Sequence, residues 1–190
     1  MRIIAGKNKG KILKTFKLDT TRPTSDLVKQ ALFNIIYFKV EDGIFLDLFG
    51  GTGACGIEAI SRGAKQVIFV DNNKESVNLI NSNAKLINAT NYQILNNNYE
   101  DALKKFKDAN MSFDIIFIDP PYKSNFAEKS VNYIINNNLL NQNGLLVWEH
   151  DKDKLDMIDS ANCFKTKKYG IKYLSYCYKE ELKCINMQNN

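Results

Sequence analysis

The sequence contains 190 residues, 44% of them hydrophobic, and its formal net charge is +5. This length is enough for one domain, residues 1–190, with a substantial core, and no apolar run approaches the roughly 18 residues needed to cross a bilayer. The four cysteines have no C-x-x-C spacing, and the single histidine, His150, is expected on the surface. Zinc sites, disulfide frameworks and histidine-based triads are therefore disfavoured.

The N-terminal segment is the most basic part of the chain. Residues 1–22 contain seven lysines and arginines and one aspartate, so they carry a formal +6, whereas the rest of the chain carries −1. A lysine-rich overall composition would add lysine along the whole chain, so it does not explain why residues 1–22 contain a single acid. Two apolar pairs, Ile3-Ile4 and Ile12-Leu13, flank a glycine-containing turn and predict a hairpin. We expect this basic hairpin to bind a polyanion through four side chains: Arg2, Lys7, Lys9 and Lys11.

A helix is predicted after the hairpin, which completes an N-terminal unit over residues 1–40 ahead of a core over 43–190. Pro23 and the polar residues after it supply the helix start, and apolar residues recur at helical spacing from Leu27 to Ile36. Arg22 and Thr24 stand at this helix start, and we expect them to reach the ligand of the core.

A strand, a glycine-rich turn and a helix then follow in succession. Ile44–Phe49 predicts a short buried strand, and a G-x-G-x-x-G pattern comes directly after it. Glycine permits a tight turn and lets a ligand approach the backbone. The next predicted strand, Gln66–Val70, ends at Asp71, whose carboxylate could accept both hydroxyls of an adenosine ribose. This pattern indicates a nucleoside cofactor, and its glycines are Gly51, Gly53 and Gly56.

A carboxylate at the mouth of this turn narrows the choice of cofactor. Asp47 lies four residues before Gly51, where it would repel the pyrophosphate that dinucleotide folds bind at the helix N-terminus. A carboxylate there suits a ligand that carries a cation, such as the amino group of S-adenosylmethionine.

A second motif, Asp119-Pro120-Pro121-Tyr122, follows the predicted buried strand Phe113–Ile118. Proline commonly ends strands, but two consecutive prolines also make the chain rigid and leave it with carbonyl acceptors and no N–H donors. The carboxylate and a proline carbonyl could accept the hydrogens of an amino group on a flat molecule, while Tyr122 stacks on its face.

Strands and helices alternate from Gly43 to Glu149, which predicts an α/β fold with a mostly parallel sheet and helices on both faces. A closing hairpin is predicted over residues 163–183. Ligands of such sheets bind beyond the carboxyl ends of the strands. Four polar side chains that follow predicted strands should therefore converge on one crevice: Asp47, Asp71, Asn98 and Asp119.

The two motifs, in this order and about 70 residues apart, resemble those of the class I methyltransferases. Asp47 to Gly53, which includes Phe49, matches the cofactor motif of that family. Asp119 to Tyr122 matches the tetrapeptide with which members methylate exocyclic amino nitrogens of bases. The resemblance implies a Rossmann-like fold with a seven-stranded sheet, and S-adenosylmethionine as the cofactor.

The N-terminal residues resemble those of one particular family among the class I methyltransferases. Arg2 to Lys7, followed by Arg22-Pro23-Thr24 and a helix, is similar to the RsmD-type 16S rRNA guanine-N(2)-methyltransferases over nearly the whole chain. This implies a cytoplasmic enzyme for a guanine of the small ribosomal subunit or its assembly intermediate; we also expect a monomer without metal or membrane. Class I members often place an acid after the third strand to accept the adenine amino group. Here we assign that role to Asn98, with Asp101 as the alternative.

Other functions remain open at this point. An adenine amino methyltransferase acting on DNA or RNA would share the tetrapeptide, although little chain remains for the separate sequence-recognition domain of a DNA enzyme. The tetrapeptide of protein-glutamine methyltransferases usually begins with Asn, and this one begins with Asp119. A non-catalytic RNA-binding factor could retain a vestigial pocket. An NAD-dependent oxidoreductase is disfavoured by Asp47.

Overall fold

The structure is a computed structural model, and it describes residues 1–16, 26–121, 125–151 and 164–181. Within these residues, no helix is long and apolar enough to span a membrane. Five helices are described, namely α1 (Asp26–Val40), α2 (Ala54–Ser61), α3 (Lys74–Leu86), α4 (Tyr99–Asp108) and α5 (Phe126–Asn136). Seven strands are described: β1 (Ile44–Asp47), β2 (Gln66–Val70), β3 (Tyr92–Leu95), β4 (Phe113–Ile118), β5 (Leu140–His150), β6 (Lys165–Tyr169) and β7 (Lys172–Tyr178).

The strands form one seven-stranded sheet in the order β3-β2-β1-β4-β5-β7-β6. The first five strands of that order are parallel, whereas β7 is antiparallel to both β5 and β6. The predicted α/β fold and its mostly parallel sheet are confirmed. The closing hairpin is also present, and it turns at Gly170, which has a positive φ of 64°.

Both faces of the sheet are covered, as a parallel sheet requires. Successive strand residues point to opposite faces, so each strand contributes to two cores. One core packs α1, α2 and α3 against residues such as Phe45 and Phe117. The other packs α4 and α5 against residues such as Leu46 and Ile118. Two residues that lie two positions apart on one strand therefore face the same layer of helices.

The predicted basic hairpin is present at the N-terminus. Arg2 and Ile12 form an antiparallel bridge, and the Ile3 N–H donates to the Lys11 carbonyl at 3.0 Å. Gly6 lies in the turn with a φ of 81°, and a Cβ added there would lie 1.9 Å from the Ser61 carbonyl oxygen. Only glycine permits this close approach to the end of α2.

A buried carboxylate joins the hairpin to the helices, and we call this group of contacts the Glu58 joint. The Glu58 carboxylate accepts the backbone N–H groups of Ile4 at 2.8 Å and Ala5 at 2.9 Å. It also forms ion pairs with Lys29 of α1 at 3.2 Å and with Arg62 at 2.9 Å. The side chains of Glu58 and Lys29 are completely buried. The basic hairpin is thus fixed to the body of the protein.

The prediction that His150 lies on the surface was wrong. His150 is buried, because β5 extends to this residue and β7 pairs with it through Tyr173. Its Nε2 atom lies 2.8 Å from the Ser175 hydroxyl, and its ring stacks on that of Tyr173 at 5.6 Å between centroids. The added strand covers a position that would be exposed if β5 were the edge of the sheet.

Candidate active site

The carboxyl ends of β1 and β4 lie side by side in the sheet. Asp47 pairs with Phe117, and the Leu48 N–H donates to the Phe117 carbonyl at 3.1 Å. Asp119 comes two residues after Phe117, so it leaves β4 on the same face as Asp47. The two carboxylates influence each other electrostatically, since Asp119 contributes to a raised Asp47 pKa. The structure therefore brings the two predicted motifs together at the carboxyl edge of the sheet, and we call this region the cleft.

The glycine turn lies at the cofactor end of this cleft. Gly51 and Gly53 have positive φ values of 53° and 77°, which favour glycine. The Gly53 N–H donates to the Gly50 carbonyl at 2.7 Å and closes the turn. At Gly56 a Cβ would lie 2.1 Å from a ring carbon of Phe69, so this glycine lets α2 pack closely against β2.

Asp47 is a buried carboxyl at the mouth of the turn. Its side chain accepts the Gly56 N–H at 3.1 Å. Burial raises its pKa to about 8; the Asp119 and Asp71 carboxylates add to this rise, and the Gly56 hydrogen bond opposes it. A buried carboxylate is stabilised by an opposite charge nearby. The position therefore favours a ligand with a cationic group, and the contact of Asp47 with the cofactor stays a prediction.

Asp71, at the end of β2, is held by the glycine turn. One of its oxygens accepts the Gly51 N–H and the other accepts the Asn73 N–H, both at 2.8 Å. The residue is half-buried. Because each carboxylate oxygen can accept a further hydrogen bond, Asp71 can still bind hydroxyl groups. Its predicted contact with a ribose stays a prediction.

The two residues considered for the adenine contact bond to each other. Asn98 is the N-cap of α4: its side-chain oxygen accepts the Asp101 N–H at 2.8 Å, and its amide nitrogen donates to the Asp101 carboxylate at 2.7 Å. Capping thus accounts for one of the two lone pairs on the Asn98 oxygen. A contact of either residue with adenine stays a prediction.

An aromatic row lies on the other helical side of the cleft. Phe49 is half-buried, and its ring centroid lies 5.4 Å from that of Tyr99. The ring of Tyr99 lies 5.0 Å from that of Phe126. The sequence motifs point to Phe49 but not to the other two rings, which come from the starts of α4 and α5.

The tetrapeptide is described in part. Asp119 and Pro120 are half-buried, and Pro121 is exposed. Three predicted site residues lie outside the described residues: Arg22, Thr24 and Tyr122.

A further carboxyl, Glu149, was missed by the sequence analysis. Trp148 pairs with Ile118 across β5 and β4, so Glu149 is the neighbour of Asp119. Its side chain is 3% exposed, with Oε1 at 3.6 Å from the Lys172 Nζ. Burial raises the pKa of Glu149 to about 8, the Asp119 carboxylate adds to the rise, and Lys172 opposes it. The sequence signal that could have identified Glu149 is an acid at an inward-facing position of a buried strand.

The basic hairpin presents all four predicted polyanion-binding side chains to solvent: Arg2, Lys7, Lys9 and Lys11. The chain that leaves the hairpin reaches the glycine turn through Asn83. The Asn83 side chain accepts the Lys14 N–H at 2.8 Å and donates to the Thr52 carbonyl at 2.9 Å. The hairpin is therefore linked to the cofactor end of the cleft.

Comparisons with known proteins agree with this geometry. The chain matches the family described as "Conserved hypothetical protein 95" over residues 1–178. It is 39% identical over 154 residues to "Putative rRNA methyltransferase YlbH" of Bacillus subtilis, which covers 80% of this chain and 84% of that protein. It is 36% identical over 174 residues to "Ribosomal RNA small subunit methyltransferase D" of Haemophilus influenzae, with 90% of each chain covered.

A solved structure extends the agreement to three dimensions. The "Putative methyltransferase yhhF from Escherichia coli" superposes with a TM-score of 0.81 at 27% identity, and the match covers 94% of this chain and 97% of that one. The family match spans the basic hairpin, the glycine turn and the tetrapeptide together. The chain therefore belongs to the RsmD-type family of the class I S-adenosylmethionine-dependent methyltransferase superfamily, as the sequence predicts.

Proposed function

We propose that the protein transfers a methyl group from S-adenosylmethionine to the 2-amino group of a guanine in 16S ribosomal RNA. The observation that supports this most directly is the position of Asp47 and Asp119 at neighbouring strand ends on one face of the sheet. One carboxylate suits a cationic donor and the other an amino group. A relative named for small-subunit ribosomal RNA, 36% identical over 90% of this chain, supports the choice of substrate.

The residues at the cofactor end fit S-adenosylmethionine, which supplies an activated methyl group on a sulfonium. Asp47 is buried and has a raised pKa, so binding of a cationic group beside it is favoured. Asp71 accepts the ribose hydroxyls, and Gly51 and Gly53 let the ligand approach the backbone. We assign Phe49 and Asn98 to the same pocket, together with Arg22 and Thr24, which lie outside the described residues.

Asp119 and the Pro120 and Pro121 carbonyls act on the target amino group. The lone pair of this nitrogen is delocalised into the base, so the neutral amino group is a poor nucleophile. As the nitrogen attacks the methyl carbon, positive charge develops on it, and oxygen acceptors that face it stabilise that charge. Tyr122 stacks on the base, which must be unpaired or flipped to enter the cleft.

RNA binding is assigned to the basic hairpin. Arg2, Lys7, Lys9 and Lys11 are exposed, and the Glu58 joint holds them at a fixed position beside the cofactor end. Phosphate contacts of this kind orient a protein on its RNA without selecting a sequence. We propose a single-domain monomer that acts in the cytoplasm on the small ribosomal subunit or its assembly intermediate, without a metal.

The test is to incubate the protein with labelled S-adenosylmethionine and small-subunit particles from a strain that lacks it, then to map the label by mass spectrometry. We expect one N(2)-methylguanine in 16S rRNA. Label on adenine, on protein or on DNA alone would contradict the proposal. Calorimetry with S-adenosylmethionine separates an enzyme from a vestigial RNA-binding factor, because the latter has no affinity for the donor.

The variant Asp119→Ala ties the activity to this cleft. Loss of a charge-assisted hydrogen bond of roughly 1.5–3 kcal/mol predicts turnover that is slower by about 10- to 100-fold or more. Donor affinity should be retained. Asp108→Ala, at an exposed position at the end of α4, is the matched control and should leave turnover unchanged. Normal turnover by Asp119→Ala would remove Asp119 from the mechanism.

A further inference from the structure

Glu149 extends the row of carboxyl groups at the edge of the sheet by one strand. β4 and β5 are parallel and in register at Ile118 and Trp148, and neighbouring strands lie about 4.8 Å apart. Asp119 directly follows Ile118, and Glu149 directly follows Trp148. Each acid lies two positions after a residue that packs in the core with α1, α2 and α3, namely Phe117 and Val147. Two acids are thus adjacent on one face, and the inner one is buried.

The bonding of Glu149 is incomplete. Lys172, itself buried, lies 3.6 Å from Oε1 and bonds at 3.2 Å with the Asp151 carboxylate. The other oxygen, Oε2, is buried and has no hydrogen-bond partner among the described residues. An unbonded buried oxygen is costly in a structural carboxylate. Such an atom beside a catalytic cleft indicates a group that exchanges a proton or a bond during function.

Among the described residues, the charged and titratable groups that interact with Glu149 lie at the ends of β4 and β5, on β7 and on α2. Asp119 of the β4 end and Asp151 of the β5 end disfavour its anion, and Lys172 of β7 favours it. On α2, the Cys55 thiol is affected by Glu149, Asp119 and Asp47 together, and its pKa is raised mainly by burial. Glu149 is therefore a more basic carboxylate than an ordinary glutamate.

We propose that Glu149 accepts, from Asp119, the proton that the target amino group loses on methylation. This inference rests on the proposed function. The nitrogen lone pair forms the new bond to the methyl carbon, and the carbon–sulfur bond breaks with its electron pair left on sulfur. As the nitrogen–carbon bond forms, an N–H bond breaks; its proton passes to the Asp119 carboxylate and from there to Oε2 of Glu149, and it leaves to solvent after the product departs. Glu149 is a positioning residue in this scheme, since it acts through Asp119.

Such a role predicts a pH dependence that a structural glutamate would not produce. The rate of methyl transfer is measured in a single turnover, with enzyme in excess over particles and saturating S-adenosylmethionine. The wild-type rate should rise as the pH increases through about 8, where the Glu149 anion forms. Glu149→Gln keeps the shape but accepts no proton, so its profile should be flat and its rate about 100-fold lower or more at pH 8.5.

Two further variants distinguish proton transfer from folding. Lys172→Met removes the cation that lowers the Glu149 pKa, so the midpoint of the profile should move to higher pH. Glu149→Asp keeps a carboxyl and should restore part of the rise. Asp47 also has a pKa of about 8, and therefore S-adenosylhomocysteine affinity is measured at each pH. Its affinity for Glu149→Gln should stay within about twofold of wild type.

Each result either supports or overturns the role of Glu149 in proton transfer. A rise through pH 8 that Glu149→Gln retains at the wild-type rate would overturn the inference, as would an unmoved midpoint in Lys172→Met. If Glu149→Gln does not fold, the midpoint of Lys172→Met decides alone. A wild-type protein that labels no RNA at any pH would instead refute the proposed function itself.

Discussion

Two buried glutamates, each paired with a buried lysine, differ in how completely they are bonded. Glu58 accepts two backbone N–H groups and contacts Lys29 and Arg62. Glu149 has Lys172 at 3.6 Å and one oxygen without a hydrogen-bond partner among the described residues. A fully bonded buried charge serves to join elements, whereas a partly bonded one is a group whose protonation can change. The difference separates a structural joint from a candidate part of the active site.

The largest effect is expected when the structural member of this pair is broken. Glu58→Ala leaves the buried Lys29 charge without its carboxylate and frees two backbone N–H groups of the hairpin. We expect a loss of about 3–5 kcal/mol in the free energy of unfolding, measured in urea. Glu128→Ala, at an exposed position in the first turn of α5, should cost less than about 1 kcal/mol. Equal losses would mean that the Glu58 joint contributes no stability.

The same joint can be broken from the hairpin side. Gly6 and Gly10 both have positive φ values, 81° and 87°, so alanine is strained at either position. A Cβ at Gly6 would also collide with the Ser61 carbonyl, whereas at Gly10 no described atom lies within 4 Å. Gly6→Ala should therefore lose about 1–3 kcal/mol more than Gly10→Ala and should also weaken RNA binding. Matching losses in the two variants would show that the hairpin is not packed on α2.

Glu149, the second member of this pair, should affect how the stability of the fold depends on pH. The ordinary pKa values are 3.8 for Asp47 and 4.5 for Glu149, and both are raised to about 8 in the folded protein. Between these values the folded state binds more protons than the unfolded state, so stability falls as the pH rises. Each group contributes at most about 1.4 kcal/mol per pH unit.

Unfolding in urea from pH 5 to 8.5, without cofactor, measures this contribution. Glu149→Gln should flatten the fall in stability, because Gln does not titrate, and Asp47→Asn should do the same. Glu128→Gln, which changes an exposed carboxyl, should keep the wild-type slope. A wild-type slope in Glu149→Gln would mean that the carboxyl ionises freely, which contradicts its assigned environment.

The sequence predicted the part of the site that local motifs determine. Glycines followed by a helix specify a turn, and the ends of parallel strands meet at one edge, so Asp47, Asp71 and Asp119 could be placed together. Asn98 was assigned to the ligand, although its position three residues before Asp101 also matches a helix N-cap, which is its observed bonding. The spacing of Asn98 and Asp101 was therefore a local signal for the N-cap.

The buried charge pairs were beyond local motifs. Lys29 meets Glu58 only because α1 packs beside α2, and Lys172 meets Glu149 only because β7 pairs with β5 in one register. The burial of His150 has the same cause, since Tyr173 of β7 lies opposite it. A shift of that register by one residue would turn these side chains to the other face. Such contacts depend on long-range packing, which a single sequence does not specify.

Substitutions at the exposed end of the hairpin should have the smallest effect on stability. Their main effect should be on RNA binding. Changing Lys7, Lys9 and Lys11 together to Gln should weaken RNA binding and lower the slope of log affinity against log salt by roughly 0.7–0.9 per lost phosphate contact. Cofactor affinity should be unchanged, because the Glu58 joint stays intact. Changing Lys104, Lys105 and Lys107 of α4 to Gln removes the same charge from the opposite face of the sheet, where these side chains are exposed. If this control lowers the salt slope as much, net charge rather than the hairpin attracts the RNA.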